Sequence, residues 1–299
     1  MAGGSTRAVL YALGANGAIA VTKYFAAAFT GSGSMLAEAV HSTADCGNQL
    51  LLLLGLKRSK RPPSADYPLG YGKETYFWSF IVAIMLFSVG GLFSVYEGWH
   101  KLSAPEPLSY PQLALGVLAF GIVAESFSMW GCLREVNNVR GNQPLWLWFR
   151  QSRNAELVVI FGEDLAALMG LALAFVAVLA AWITGDTRWD AAGSIAIGAL
   201  LIIVAVLVAI EVKALLVGQG VEPEVRERMV GWLAAQPEVE GVIDLLTLHM
   251  GNDVMVAVKA HMREQRTQGE LVDAINRIEV AFRAEFAQVQ WMFFEPDVR

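Results

Sequence analysis

Six long apolar runs fill the first 217 residues, near 8–30, 34–56, 76–100, 112–133, 155–183 and 190–217. A helix needs roughly 17–25 mainly apolar residues to cross a hydrocarbon core, so the pattern predicts six transmembrane helices. After GQGVEPE the period changes. PEVRERMVGWLAA (223–235) has helical spacing, with Pro223 in its first turn. VIDLLTLHM and VMVAVKAHM alternate apolar and polar positions on either side of GND, a hairpin signal. Residues 268–286 return to helical spacing, and VQWMFF closes as a strand. The expected fold is an α-helical membrane protein: a six-span domain over 1–217, then a small α+β domain over 218–299 with the αββαβ order of a ferredoxin-like fold. A unit of about 80 residues lies near the lower size for independent folding, so pairing with a second copy would help it.

The charges between the runs orient them. Lys57, Arg58, Lys60, Arg61 and Lys73 follow the second run, and Arg134, Arg140, Arg150 and Arg153 follow the fourth. The alternate gaps hold little: none in TGSGS, Lys101 in the next, Arg188 in the last. Positively charged loops stay on the cytoplasmic side, which places both basic loops and both termini there. PLWLWFR, with Trp146 and Trp148 beside Arg150, suits a segment lying among the headgroups. The first run is too long for a signal-peptide core and is expected to be a retained span.

Composition agrees: 55% of the 299 residues are hydrophobic and 17% charged, where soluble domains carry about a quarter. The net charge of −6 belongs to residues 218–299, with 14 Asp and Glu against 8 Lys and Arg. An acidic tail argues against nucleic acid as a partner, since phosphate contacts want a basic patch. Cys46 and Cys132 both fall inside runs, form no CxxC pair, and are expected to be small buried residues.

The second run contradicts its own surroundings. AEAVHSTADCGNQLLLLLG sets Glu38, His41, Asp45, Asn48 and Gln49 in a would-be span. His41, Asp45 and Asn48 lie at i, i+4 and i+7 and share one helix face, flanked by Glu38 and Gln49. From Glu38 to Gln49 is roughly 16 Å of helix, so Asp45 sits too deep to reach an interface. An aspartate at mid-bilayer costs about 2.5–3.5 kcal/mol on insertion scales, and something must compensate. An imidazole and a carboxylate one turn apart can address a single divalent ion. The fifth run adds adjacent Glu163 and Asp164, about 100° apart on a helix, so one faces the second run while the other faces a neighbour or water. A polar cluster that only glues helices would be built from Asn or Ser; three carboxylates with a histidine would repel one another without a cation. Histidine and carboxylates without thiolates point to zinc or another divalent transition metal.

These residues carry a resemblance. SMLAEAVHSTAD followed by DYPLGYGKE, with the six runs and the α+β tail, resembles the cation diffusion facilitators, a family of zinc and manganese exporters. HSTADCGNQ, FGEDLAALMG and DAAGSIAIG look most like its zinc-transporter-nine-like branch. The resemblance implies a homodimer that exchanges a cytoplasmic metal ion for protons by alternating access, with a site between the second and fifth spans formed by His41, Asp45 and Asp164. Metal is then the cargo, Zn²⁺ first, and no further cofactor is expected; the partners are the bilayer, a second copy and protons, in a bacterial inner membrane. Ligands must lose protons to bind metal, and histidine ordinarily titrates near working pH.

Two departures stand out. Zinc-transporting relatives usually carry HxxxD in the fifth span, whereas the position four before Asp164 is Ile160. Glu163, with Asn48 behind it, is the candidate replacement, and an oxygen-richer site would admit Mn²⁺, Fe²⁺ or Co²⁺. In the tail, Phe294 stands where many members place a histidine, and His249 and His261 are expected to be surface histidines rather than metal ligands, the alternative for each. Lys23 and Glu211 are expected to snorkel; Glu125 is either a proton acceptor or a pairing partner; Asp190 is either a helix N-cap or an exit-side metal contact. Loop 57–61 is expected to pair with the acidic tail of its own or the partner chain. The rivals are a metal sensor without flux and a membrane metalloenzyme, which would need an open coordination position and a general base.

Overall fold

The computed structural model describes residues 2–104 and 107–297, with side chains described from residue 16 onward. Helices α1 (Ala2–Thr30) and α2 (Gly33–Ser59) are followed by a rod built of α3 (Glu74–Met85), a wide π-helical turn (Leu86–Leu92) and α4 (Phe93–Ser103). Then come α5 (Pro111–Arg140), the short α6 (Leu145–Gln151), α7 (Ala155–Thr184) and α8 (Arg188–Val217). The rod Glu74–Ser103 and helices α5, α7 and α8 are each long and apolar enough to cross a membrane, which makes this a multi-pass helical membrane protein. Helices α1 and α2 are 29 and 27 residues long and pack on each other, with α2 also against α7 and α8. The α2 run is diluted by its own polar stripe and by Lys57 and Arg58 in its last turn.

Small residues set how closely the rod and α8 approach. A Cβ on Gly98 would lie 2.7 Å from the Ala191 carbonyl oxygen, so only glycine lets the two backbones meet there, the small-residue contact typical of helices in lipid. The π turn packs beside α2: a Cβ on Gly90 would lie 3.9 Å from His41 Nδ1. Cys132 is buried and Cys46 only half-buried, and both are free thiols.

The tail follows the expected order: α9 (Pro223–Ala234), β1 (Val239–Met250), β2 (Asp253–Met262), α10 (Gln268–Glu285) and β3 (Val289–Asp297). The sheet runs β1-β2-β3. Strands β1 and β2 pair antiparallel through the Met250–Asp253 turn, and α10 carries the chain back so that β3 lies parallel to β2. Val254, Val256, Val258 and Ala260 alternate inward from the central strand and meet Met229, Leu233, Ile278 and Phe282. Phe294 packs against the same core. On the other face the register aligns Leu246, Ala257 and Phe293 in one row, and Leu246 and Phe293 are exposed.

Within one chain, the tail meets the bundle through groups other than loop 57–61. Arg58 pairs with Glu74 at 4.0 Å and stands over the Trp78 ring, while Arg61 stands over Tyr71. The contact is instead a clasp of hydrogen bonds to backbone groups. The buried Tyr76 hydroxyl donates to the Gly251 carbonyl at 3.0 Å and accepts from the Gly251 N–H at 3.0 Å. Arg153 Nε adds a bond to the Gly220 carbonyl at 2.8 Å. A tight hairpin turn gives the tyrosine both a donor and an acceptor, and surface ion pairs compete poorly with that.

His261 lies half-exposed, 3.4 Å from Glu240. His249 departs from expectation: it is not exposed, and neither ring nitrogen has a partner. Burial outweighs the nearby Glu222 and holds its imidazole below the usual value of 6.5. The unfolded chain therefore binds this proton more readily than the folded one, so stability present above pH 6.5 is lost as pH falls toward the folded value. Thermal unfolding of the full chain at pH 7.5 and 5.5 should show an acid-induced fall in Tm that shrinks in His249→Gln.

Candidate metal centre

The α2 stripe is laid down by helix geometry alone, and the structure supplies its neighbours. His41 and Asn48 are fully buried. Asp45 keeps 16% of its side chain accessible, and its Oδ1 lies 3.6 Å from His41 Nδ1. Helix α7 presents Glu163 and Asp164 on different sides. Glu163 turns to α2, where Asn48 Nδ2 donates to its Oε1 at 2.5 Å. Asp164 turns to α5, where the Ser128 hydroxyl lies 3.2 and 3.3 Å from its two oxygens. The 100° between them is absorbed by giving each a separate helix to face.

Both carboxylates nonetheless open into one cavity of about 40 Å³ at the meeting of α1, α2, α5 and α7. Its walls include Asn16 from α1, Ser42, Asp45 and Gln49 from α2, and Glu125 and Ser128 from α5. A void needs roughly 10–15 Å³ to hold one water, so an ion or a water fits. Four carboxylates share this space, and like charges at such range repel unless cations compensate them.

The structure thus brings Asp45, Glu163 and Asp164 together and joins Asn48 to Glu163. His41 is different: it abuts Asp45 but does not line the cavity, and neither ring nitrogen has a hydrogen-bond partner. As they stand, no three His, Cys, Asp or Glu side chains among the described residues converge on one ion position. The donor set still fits a divalent cation chemically, with an uncommitted imidazole and four carboxylates on three helices. Ile160, four residues before Asp164, is only a partly buried apolar side chain packed on the core. Sequence reasoning did not place Ser128, and it left Glu125 open; their i, i+3 spacing inside an apolar run was the available signal.

Three side chains correct the sequence reading. Lys23 does not snorkel: it is 1% exposed, and its Nζ donates to Glu38 Oε2 at 3.1 Å and to Ser42 Oγ at 2.7 Å. A carboxylate in register on the neighbouring helix outweighs the pull of the interface. Glu211 is buried as well, and Arg150 reaches in to pair with it. Asp190 caps a helix other than its own. Its Oδ1 accepts from the Ser32 hydroxyl at 2.6 Å and the Ser34 N–H at 3.2 Å, and its Oδ2 accepts from the Gly33 N–H at 2.6 Å. The first-turn donors of α2, which have no intrahelical acceptor, are thereby satisfied from α8.

The comparisons with known proteins bear on this site. A family model described as the cation efflux transmembrane domain matches residues 9–217. The chain belongs to the cation efflux family. It is 32% identical over 254 residues to the human proton-coupled zinc antiporter SLC30A9, mitochondrial, covering 83% of this chain and 44% of that protein. It is 30% identical over 244 residues to metal tolerance protein C4 of Arabidopsis thaliana, covering 80% and 53%. With the cation-efflux pump FieF of Yersinia pestis it shares 24% identity over 270 residues, covering 84% and 83%. The chain spans about half the length of the first two relatives. The resemblance to the zinc-transporter-nine-like branch is borne out by these matches.

Within this family member, Asp190 offers a clean test of how the end of α2 is held. Asp190→Ala strips three donors of their acceptor and should cost about 1–3 kcal/mol, seen as a lower unfolding midpoint in detergent. Asp190→Asn, which keeps an acceptor oxygen, should lose less.

Proposed function

We propose that this chain is a secondary transporter, not an enzyme, that moves a divalent metal cation, Zn²⁺ first, out of the cytoplasm in exchange for protons. The observation that carries the reading is the single cavity walled by Asp45, Glu125, Glu163 and Asp164 inside a bundle of apolar helices. Ligands must be deprotonated to coordinate metal, so cargo and protons compete for the same oxygens, and that competition is the coupling. Asp45, Glu163 and Asp164 are the proposed ligands, with His41 joining by turning its free imidazole from the π turn toward Asp45, and Asn48 holding Glu163 in place. Rocking of the bundle would expose the cavity to each side in turn. Membership of the cation efflux family supports the class of activity, and the names of the human and Yersinia relatives support zinc, efflux and protons.

The proposal includes six spans, with α1 and α2 completing the four apolar ones, both termini and the 218–299 domain cytoplasmic on the evidence of the basic loops, and a bacterial inner membrane as the setting. It also includes a homodimer, which the exposed row of Leu246 and Phe293 on the open sheet face supports. A second reading has its own observation: with Ile160 in place of a histidine, the cavity is lined by oxygen donors, which suits Mn²⁺, Fe²⁺ or Co²⁺ as cargo as well.

Proteoliposomes with an imposed pH gradient test this directly. Wild-type protein should couple Zn²⁺ uptake to proton release, while Asp45→Ala and Glu163→Ala should each lose at least roughly tenfold in rate, as ligand-level changes do. Mn²⁺, Fe²⁺ and Co²⁺ offered in competition rank the cargo. Transport by Asp45→Ala at the wild-type rate would remove the site from the mechanism.

A further inference from the structure

We propose that Lys23 is an affinity-setting residue of the transport site: an ammonium beside the carboxylate cavity that sets how tightly the cargo is held and lets it leave. The inference rests on the reading of the cavity as the transport site. Lys23 is the one buried lysine or arginine among the described residues. Its ammonium is not at an interface but enclosed by three helices. On α2 it bonds Glu38 Oε2 at 3.1 Å and Ser42 Oγ at 2.7 Å, and on α5 a Cβ at Gly121 would lie 3.8 Å from its Cε.

The pair is oriented. Ser42 is itself a wall of the cavity that Asp45, Glu125, Glu163 and Asp164 line, so the ammonium stands one hydroxyl away from the cargo position. Glu38 extends the other way. Its Oε1 has no hydrogen-bond partner and occupies the gap over Gly170 of α7, where a Cβ would lie 2.5 Å from that oxygen. The positive end of the pair faces the cavity and the negative end faces α7. If the pair only fastened α1 to α2, its orientation would be immaterial, and an apolar contact would do the same at lower desolvation cost. Four carboxylates with no fixed cation nearby would hold a dication more tightly. A transporter needs binding strong enough to load and weak enough to unload, and a fixed cation at this range weakens the hold on a divalent ion.

The test uses full-length protein, with Zn²⁺ binding measured by titration calorimetry in detergent and Zn²⁺ flux in proteoliposomes. Removing both charges in Lys23→Met/Glu38→Gln should tighten Zn²⁺ binding on the order of tenfold, with KM and kcat falling together because release slows. Glu38→Gln alone leaves the ammonium unopposed and should shift binding the other way, to weaker affinity and higher KM. Lys23→Arg should stay near wild type in both. A merely structural pair would lower the Tm of both variants without moving their affinities in opposite directions. If the two affinities move in the same direction, or stay within twofold of wild type, the inference is overturned. Should the double variant fail to fold, Glu38→Gln decides: unchanged or tighter Zn²⁺ binding overturns the inference, and weaker binding with Lys23→Arg unaffected sustains it. Asp45→Ala, run alongside, separates the two levels of failure: wild-type transport there sinks the site itself, whereas a transport-deficient Asp45→Ala with unresponsive Lys23 variants sinks only the role of Lys23.

Discussion

Carboxylates confined where water cannot hydrate them are the constraint on which the rest of the bundle depends. Asp45, Glu125, Glu163 and Asp164 share about 40 Å³, and their mutual repulsion in a weakly screening interior has to be met by a bound cation or by protons. No arrangement of apolar side chains provides that. The helices therefore have to be tied together by other means, so that the cavity's occupancy does not decide whether they hold together. The close approach of the rod and α8 at Gly98 and the apolar seams of α5, α7 and α8 are independent of any ion. Under the proposed function, cargo could then come and go without the bundle coming apart.

The polar bonds fall into tiers along the bundle. At one end Asp190 joins α8 to the first turn of α2 through three hydrogen bonds. In the middle Lys23 joins α1 to α2, and Asn48 joins α2 to α7 through Glu163. Toward the tail Arg150 joins α6 to α8 at Glu211. Every one of these bonds gives an ionisable side chain a specific partner, as burial in a low-dielectric medium demands. Helix α2 takes part in three of these bonds and in the cavity as well, which is why its sequence is the least apolar of the long helices of the bundle and the most informative.

Much of the fold was legible because it is periodic. The long apolar runs gave α5, α7, α8 and the Glu74–Ser103 rod, and the switch to alternation gave the hairpin and the third strand of the tail. The stripe His41, Asp45, Asn48 was legible for the same reason, since spacing within one helix follows from 3.6 residues per turn. What stayed hidden depends on relations between helices. Lys23 was misread because its distance from an interface was the only guide, and its partner sits on another helix. Asp190 looked like a cap for α8 because capping is usually local; its donors are 156 to 158 residues away. Glu125 and Ser128 gained meaning only when α5 came to lie against Asp164, and the free imidazole of His41 is set by how the π turn of the rod packs on α2.

Ile160 and Glu163 show how the proposed ligand set adapts to a missing histidine. A residue four before Asp164 stands about 40° from it around the helix, and the residue just before it stands about 100° away. Glu163 is thus some 60° off the direction a histidine at 160 would serve, pointing toward α2 instead. Its side chain is long enough to reach back to the cavity, and the amide of Asn48 stops it from straying. The exchange replaces one nitrogen donor by an oxygen and brings in a second helix to hold it. An ion bound there would meet harder donors than a two-histidine site offers, and hardness, with geometry, is what separates zinc from manganese. The cost falls on Asn48, whose Oδ1 is buried without a partner, a penalty that an apolar residue at that position would avoid but only by leaving Glu163 unheld.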